Sequence, residues 1–184
     1  MLKSTEKIND TIQTVPDLIT ILDEEERTKY TTILRKMELP ISEFEKYATW
    51  SEDCYTRNCI AENENFELIL ICWNIGQKTP IHDHGGEQCW VSIVDGEFKE
   101  NIYNENEKGE LNVVRNAKMK SGDVTYMVDF MGFHNLENVS DNRSMSLDLY
   151  ANPIKSCKVY DSKKGSFARK KLYYDTYQKL LNEN

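Results

Sequence analysis

The stretch Gly76–Gly96 reads GQKTPIHDHGGEQCWVSIVDG and holds two of the three histidines of the chain, His82 and His84. Residues two apart on a strand share one face, so both imidazoles can bind one metal ion. His134 lies far along the chain, at the start of another predicted strand. Three neutral nitrogen ligands on one side leave positions open for substrate, as in catalytic metal sites. An HxH pair also occurs by chance and histidines often lie on surfaces, so the pair alone leaves both interpretations open.

The residues that follow Tyr55 have the pattern of a β protein. Short apolar runs are separated by the turn signals Asp95-Gly96, Lys108-Gly109 and Ser121-Gly122. Many short strands with such turns predict a β-sandwich or a small β-barrel. The candidate strands are Thr56–Ile60, Phe66–Trp73, Gln88–Val94, Glu97–Tyr103, Leu111–Arg115, Val124–Val128, Asn135–Val139 and Met145–Tyr150, with a weaker one near Lys170–Thr176.

The N-terminal part of the chain has a helical pattern instead. Ser42 and Glu45 have the spacing of a capping box, which predicts a helix start. We expect one domain, residues 1–184, with a helical segment over 1–50 packed on a β-barrel over 55–176. Apolar residues at helical spacing support the helical segment: Val15, Leu18, Ile19 and Leu22.

Composition narrows the class of protein. The 184 residues include 23 Lys and Arg against 31 Asp and Glu, a net charge of −8, which argues against nucleic acid and anionic membranes as partners. No apolar run approaches the ~18 residues of a membrane span. The N-terminus, MLKSTEKIND, lacks the apolar core of a signal peptide, so we expect a cytoplasmic protein. The five cysteines form no CxxC pair, which argues against a zinc ribbon or a disulfide framework. We also expect a monomer.

The spacing within Gly76–Gly96 resembles the first motif of the cupins, with Cys89 where cupins usually carry a metal-binding glutamate. Gly122, His134 and Asn138 match the second cupin motif more loosely. The resemblance implies a mainly β fold, a small antiparallel jelly-roll barrel, which agrees with the strand pattern.

The missing glutamate has a chemical consequence. A metal ion held by three histidines keeps its full 2+ charge, so it favours an anionic ligand such as a thiolate. It also keeps three octahedral positions free, enough for a bidentate substrate and O2. Iron(II) uses such openings for oxygen chemistry, although imidazole ligands alone also suit zinc, copper or nickel.

A set of short motifs resembles the cysteine dioxygenase family more specifically. The resemblance extends to about Gly165, and the motifs are specific in combination. They are Tyr55–Asn58 (YTRN), Ile71–Trp73 (ICW), Ile81–His84 (IHDH), Cys89, Gly96–Glu100 (GEFKE), His134 with Glu137–Ser140 (ENVS), and Ser146–Tyr150 (SLDLY).

This resemblance implies a mononuclear non-haem enzyme with Fe(2+) as cofactor, which adds both atoms of O2 to the sulfur of L-cysteine. His82, His84 and His134 would hold the iron. Arg57 would hold the substrate carboxylate, because a guanidinium fork matches two carboxylate oxygens, and Tyr55 would lie near that carboxylate. Without the YTRN context, a lone arginine is more often an exposed residue of an edge strand.

Cys89 and Tyr150 correspond to the pair that forms a thioether cross-link in many family members. Trp73 would pack beside the pair, and Ser146 and Asp148 would lie near Tyr150. From the residues alone, an inert buried thiol is the commoner role of a single cysteine such as Cys89. Strand alternation would send Ser146, Asp148 and Tyr150 to solvent, unless both faces of the strand are buried.

Two positions depart from the family pattern. Asp148 stands where the family usually has a histidine, and an ionised carboxylate there would raise the pKa of Tyr150. Ala151-Asn152 replaces a Ser-Pro step that is a cis peptide in the family. A cis bond before a non-proline residue costs about 3–4 kcal/mol, so we expect a trans or strained loop.

Other functions remain open at this stage. A related dioxygenase could act on another small thiol such as 3-mercaptopropionate, but in that relative a glutamine tends to occupy the position of Arg57. A non-catalytic metal-binding cupin usually lacks a ligand histidine, whereas this chain keeps all three. A Cys-His hydrolase that uses Cys89 would need an oxyanion hole, and no signature of one is present.

Overall fold

The N-terminal part of the chain forms short helices. The computed structural model describes residues 12–178, so the first eleven residues of the predicted helical segment lie outside the described part, as do 179–184. The helices are α1 (Val15–Glu24), α2 (Tyr30–Lys36) and α3 (Ser42–Glu45), with 3₁₀ turns at Arg27–Lys29 and Asp129–Met131.

The capping box lies at α1 rather than at α3. Thr14 accepts a hydrogen bond from the backbone N–H of Asp17, and the Asp17 carboxylate accepts one from the N–H of Thr14. The capping box predicted at Ser42 is wrong. The helical turn already includes Ile41 in αR conformation, so Ser42 is inside the helix and no side chain caps α3.

Eleven strands follow within the described residues, and the prediction of a mainly β fold is confirmed. They are β1 (Thr56–Glu62), β2 (Phe66–Trp73), β3 (Gln88–Asp95), β4 (Glu97–Glu105), β5 (Leu111–Lys120), β6 (Val124–Met127), β7 (Phe133–Asn138), β8 (Ser144–Ala151), β9 (Ser156–Asp161), β10 (Ser166–Lys171) and β11 (Thr176–Tyr177).

The sequence missed β9 and merged the last two strands. Strand β9 alternates buried Cys157 and Val159 with polar residues, but it has only six residues and follows an Asn-Pro step that indicates a loop. The weaker strand predicted near 170–176 proves to be two elements, β10 and β11, separated by an irregular stretch.

The strands form two facing layers. One sheet has the order β11-β1-β2-β8-β3-β6 and is antiparallel except for the β1/β11 pair. The other layer consists of β5-β4-β7 and the hairpin β10-β9. Backbone bridges from residues 78–83 connect these two parts, because His82 pairs with both His134 and Val159.

The large sheet is buried on both faces. In β8, Met145, Leu147 and Leu149 pack in the core cluster that contains the apolar residues of the helices. The opposite face of the sheet points into the barrel, where Tyr150 packs with Ile71 in a second cluster. Every residue of β2 and of β8 is buried for this reason, so the polar residues of β8 face the barrel interior rather than solvent.

No helix among residues 12–178 has the length and apolar character needed to cross a membrane.

The β3–β4 turn is tightly packed around Gly96. It has a φ of +93°, and a Cβ there would lie 2.0 Å from the hydroxyl oxygen of Ser144. We expect Gly96→Ala to lower the free energy of unfolding by about 3 kcal/mol, because the backbone strain and the clash with Ser144 both destabilise the folded state. Urea denaturation checks the value.

Gly109 provides the matched control. Its φ of +79° is also positive, but the nearest atom to an added Cβ is a flexible carboxylate oxygen at 3.6 Å. Gly109→Ala should therefore cost only the backbone strain, about 1 kcal/mol. Equal losses in the two variants would show that the Ser144 contact does not matter.

Candidate metal centre and active site

The three histidines converge at the wall of the barrel. His82 and His134 form an antiparallel backbone bridge in which each N–H donates to the carbonyl of the other at 3.0 Å. The HxH segment lies in this irregular stretch of isolated bridges, not in a regular strand as predicted. One ligand atom from each of His82, His84 and His134 lies within 4.8 Å of the others.

In two of the three rings, a hydrogen bond to the outer nitrogen leaves the inner nitrogen free. The Nδ1 of His82 lies 2.9 Å from the carbonyl oxygen of Pro80, and the Nδ1 of His134 lies 2.9 Å from a carboxylate oxygen of Glu100. In each ring the Nδ1 therefore carries the proton, which leaves Nε2 with a lone pair. The Nε2 atoms of His84 and His134 approach to 3.1 Å.

This donor set fits a divalent metal ion. Burial lowers the pKa of His82 to about 3 and also lowers the pKa of His84, and the neighbouring histidines add to both shifts. Neutral imidazoles with converging lone pairs repel one another unless a cation lies between them. The residues present can therefore hold a metal ion through three nitrogens.

Glu100 contacts a candidate ligand histidine, and in the sequence it stands out only as the last residue of the GEFKE motif. Its second carboxylate oxygen accepts a hydrogen bond from the hydroxyl of Thr125 at 3.0 Å, so both oxygens are fixed. A carboxylate behind a ligand histidine fixes the ring orientation and raises its basicity as a ligand. The signal in the sequence was an acidic residue at an inward-facing position of β4, which packs against β7.

Asp83 and Asp129 hold the HxH segment in place. The Asp83 carboxylate accepts hydrogen bonds from the N–H groups of Gly85 at 3.1 Å and Lys158 at 2.7 Å. The Asp129 carboxylate accepts one from the N–H of His84 at 3.0 Å. The acid between the two histidines therefore points away from the metal and ties the segment to β9.

A small cavity lies against the histidines. Its volume of about 60 Å³ has room for about five water molecules, which suits a ligand of few heavy atoms. Most of its wall is apolar, with His82, His134, Tyr55, Arg57, Asp148 and Tyr150 as the polar lining.

The side chain of Arg57 is mostly buried in this cavity, with 13% of it exposed, instead of lying fully exposed on an edge strand. Its Nε and Nη2 atoms have no hydrogen-bond partner among the described residues. Nη2 lies 3.5 Å from a carboxylate oxygen of Glu67, whose side chain is fully buried. Burial alone lowers the pKa of Arg57, but Tyr150 and Glu67 raise it above the ordinary value, so Arg57 is charged.

Cys89 and Tyr150 lie directly opposite each other in neighbouring strands. They are register partners in the β3/β8 ladder and are both buried, so their side chains share one face. Burial raises the pKa of the Cys89 thiol well above its usual value, although a hydrogen bond with Tyr150 opposes the rise. Burial also raises the pKa of Tyr150, with Cys89 and Asp148 adding to the shift.

A hydrogen-bond chain connects three of the predicted residues. The indole N–H of Trp73 donates to the Ser146 hydroxyl at 3.2 Å, and Ser146 donates to the Asp148 carboxylate at 3.0 Å. Burial raises the pKa of Asp148 to about 6, while Ser146 and the Arg57 charge oppose the rise. Tyr55 packs on Trp73 with ring centroids 4.8 Å apart.

The loop after Tyr150 contains no cis peptide among the described residues, so the bond before Asn152 is trans. Asn152 instead has a φ of +66°, the only non-glycine residue of the described part in the left-handed region. Its side chain accepts a hydrogen bond from Arg27 at 2.6 Å and donates one to Glu87 at 2.8 Å. These bonds hold the strained residue in place.

Residues of the C-terminal segment also reach the site, which the sequence did not predict. Leu172 lines the cavity, and its N–H donates to the carbonyl of Lys155. The backbone of Asp175 pairs with that of Arg57. No local pattern indicates this contact, because the segment is short and mixes charged with apolar and aromatic residues.

Comparisons with known proteins give the family of this chain. The family described as cysteine dioxygenase type I matches residues 3–163. Cysteine dioxygenase type 1 of Rattus norvegicus is 29% identical over 163 residues, which are 83% of this chain and 82% of the relative. The protein of the same name from Homo sapiens has the same identity and coverage.

Among solved structures, a conserved protein with a double-stranded β-helix domain from Klebsiella pneumoniae aligns with a TM-score of 0.50 and 17% identity. The alignment covers 59% of this chain and 80% of that one. At this identity the likeness shows the fold alone.

The facing sheets and the convergent histidines define the molecule as a cupin with a three-histidine site for a metal. Within the cupins, the chain belongs to the cysteine dioxygenase type I family, because the family match spans almost the whole chain. It is thus an oxidoreductase of the thiol dioxygenase type.

The contact between Glu100 and His134 can be tested through metal binding. Glu100→Gln replaces the anionic oxygen by a neutral amide behind the ligand ring. We expect the affinity for Fe(2+) to fall by about 10- to 100-fold. Calorimetric titration of the metal-free protein with Fe(2+) under argon measures the change.

Glu97 is the matched control, because it is exposed on the same strand. Glu97→Gln should bind Fe(2+) as tightly as the unmodified chain. Unchanged affinity in Glu100→Gln would contradict the role given to this carboxylate.

Proposed function

We propose that the chain oxidises L-cysteine with O2 to cysteine sulfinate, with one iron(II) ion held by His82, His84 and His134. The thiol takes up both oxygen atoms, so one O2 is consumed for each cysteine and no further reductant is needed. Bound iron(II) would supply the redox chemistry with O2 that protein side chains lack. The residues of the cavity bind and orient the substrate and hold the protons.

The guanidinium of Arg57 carries the proposal, because its Nε and Nη2 atoms have no hydrogen-bond partner among the described residues. A buried charge without a hydrogen-bond partner is costly, so a ligand that completes its bonding gains free energy. Arg57 lines the same small cavity as His82 and His134. A substrate with a carboxylate at one end and a thiol at the other would therefore be held in one orientation, and such orientation removes part of a reaction barrier.

The size and wall of the cavity support a small thiol. A volume of about 60 Å³ favours a ligand such as L-cysteine over a peptide. The apolar wall formed by residues such as Val91 and Leu136 excludes bulk water. In such a site, charge-assisted hydrogen bonds are stronger than in water.

Proton handling must use groups other than histidine, because all three histidines lie at the metal centre. The raised pKa of Tyr150 keeps its hydroxyl protonated at neutral pH, so it can donate a hydrogen bond into the cavity. Asp148, with a pKa of about 6, can hold a proton at the accepting end of the hydrogen bonds from Trp73 to Ser146 and from Ser146 to Asp148.

Oxygen uptake tests the activity directly. The iron-loaded protein with L-cysteine should consume O2 and form cysteine sulfinate in a one-to-one ratio. Arg57→Gln should lower kcat/KM about 10- to 100-fold, the equivalent of a lost charge-assisted hydrogen bond. An oxygen electrode and chromatography of the product measure both quantities.

Arg143→Gln is the control, because Arg143 packs on Trp50 at the surface, away from the cavity. It should keep the activity of the unmodified chain. No oxygen uptake with L-cysteine would overturn the proposal, and faster turnover of 3-mercaptopropionate would replace the substrate with that thiol.

The position of Cys89 beside Tyr150 predicts a covalent link. Turnover with iron, L-cysteine and air should remove two hydrogens, one from the thiol and one from the tyrosine ring, with O2 as the oxidant. Intact mass spectrometry measures the loss, which Cys89→Ser and Tyr150→Phe should each abolish. Cys157→Ser removes another buried thiol near the cavity and should leave the loss unchanged. A mass loss that persists in Cys89→Ser would contradict the link.

A further inference from the structure

A fully buried acid faces the barrel interior close to Arg57. Glu67 lies in β2 opposite Tyr150 of β8, so the two side chains share the inner face of the large sheet. Its neighbours along that face of β2 are Ile69 and Ile71, both in the inner apolar cluster. Glutamate is almost never fully buried without a partner, so its presence here needs a physical reason.

The two carboxylate oxygens of Glu67 have different surroundings. Oε2 accepts a hydrogen bond from the backbone N–H of Ile154 at 3.0 Å, which anchors the carboxylate to the loop after β8. Oε1 lies 3.5 Å from Nη2 of Arg57 but has no hydrogen-bond partner among the described residues. The pair is therefore held by charge and by the Ile154 anchor, not by a shared hydrogen bond.

The charges of the pair nearly cancel before a ligand enters. Burial raises the pKa of Glu67, but the Arg57 charge opposes the rise and favours the ionised carboxylate. A buried arginine without a counter-ion would be costly, and Glu67 lowers that cost in the ligand-free protein, although Nε and Nη2 of Arg57 still lack hydrogen bonds. Arg57 lines the cavity, whereas Glu67 does not, so Glu67 acts on a ligand through its charge.

We propose that Glu67 is a specificity-determining residue, the fixed counter-ion of Arg57 that limits how tightly the cavity binds the carboxylate of its substrate. The inference rests on the proposed function of the cavity. A substrate carboxylate at Arg57 is attracted by the guanidinium and repelled by Glu67, since like charges a few ångströms apart interact strongly away from bulk water. A thiol without a carboxylate does not experience this repulsion.

The proposal predicts a selective gain in affinity when the charge of Glu67 is removed. Glu67→Gln keeps the shape of the side chain and an oxygen that can accept the Ile154 hydrogen bond. We expect the Kd for L-cysteine to fall about tenfold. The Kd for cysteamine, which has no carboxylate, should stay unchanged. Calorimetry with the iron-loaded protein under argon measures binding without turnover.

Glu62→Gln is the matched control. Glu62 is an acid of the neighbouring strand β1, but it is bound to Lys155 and Tyr174 away from the cavity. This variant should keep both dissociation constants. If Glu67→Gln does not fold, Glu67→Asp replaces it, because the shorter side chain moves the negative charge away from Arg57. Glu67→Asp should tighten L-cysteine binding by a smaller factor and leave cysteamine binding unchanged.

The outcomes separate the two proposals. If the unmodified protein does not bind L-cysteine, the proposed function fails and this inference fails with it. If it binds L-cysteine, but the ratio of the two dissociation constants is the same in the Glu67 and Glu62 variants, only the role of Glu67 is overturned. Equal weakening of both ligands in Glu67→Gln would assign Glu67 a purely structural role and would also overturn the inference.

Discussion

The backbone bridge between His82 and His134 is the constraint on which the site depends. It places two metal-binding rings side by side, and the second bridge from His82 to Val159 joins β7 to the β9–β10 hairpin. The segment that carries the HxH pair thus replaces a strand in the smaller layer of the sandwich. Because the same hydrogen bonds close the barrel and align the rings, fold and site cannot change independently.

The sequence predicted most of this framework because the relevant patterns are local. Strand β2 was predicted at Phe66–Trp73 with both ends correct, since a continuous apolar run is typical of a strand buried on both faces. The predicted turn at Asp95-Gly96 also agrees with the positive φ of Gly96. Long-range partners leave a weaker signal: an acid at an inward-facing position of β4 does not by itself show that Glu100 supports His134, and nothing local indicates that Leu172 lines the cavity.

The alternating pattern of β8 does not predict which of its faces points to solvent. Alternation in β8 separates Leu147 and Leu149 from Asp148 and Tyr150, but it does not say which set faces water. In the structure neither set does, because helices cover one face and the second layer covers the other. Inside the barrel, the charge of Arg57 is stabilised by acids from other strands, a balance that no single stretch of sequence reveals.

X-ray absorption at the iron edge tests whether three imidazoles hold a metal ion that is open to a small thiol. We expect nitrogen ligands from His82, His84 and His134 in the iron-loaded protein under argon, and a new sulfur neighbour when L-cysteine is added. Iron without imidazole ligands, or an iron environment that L-cysteine leaves without sulfur, would contradict this expectation.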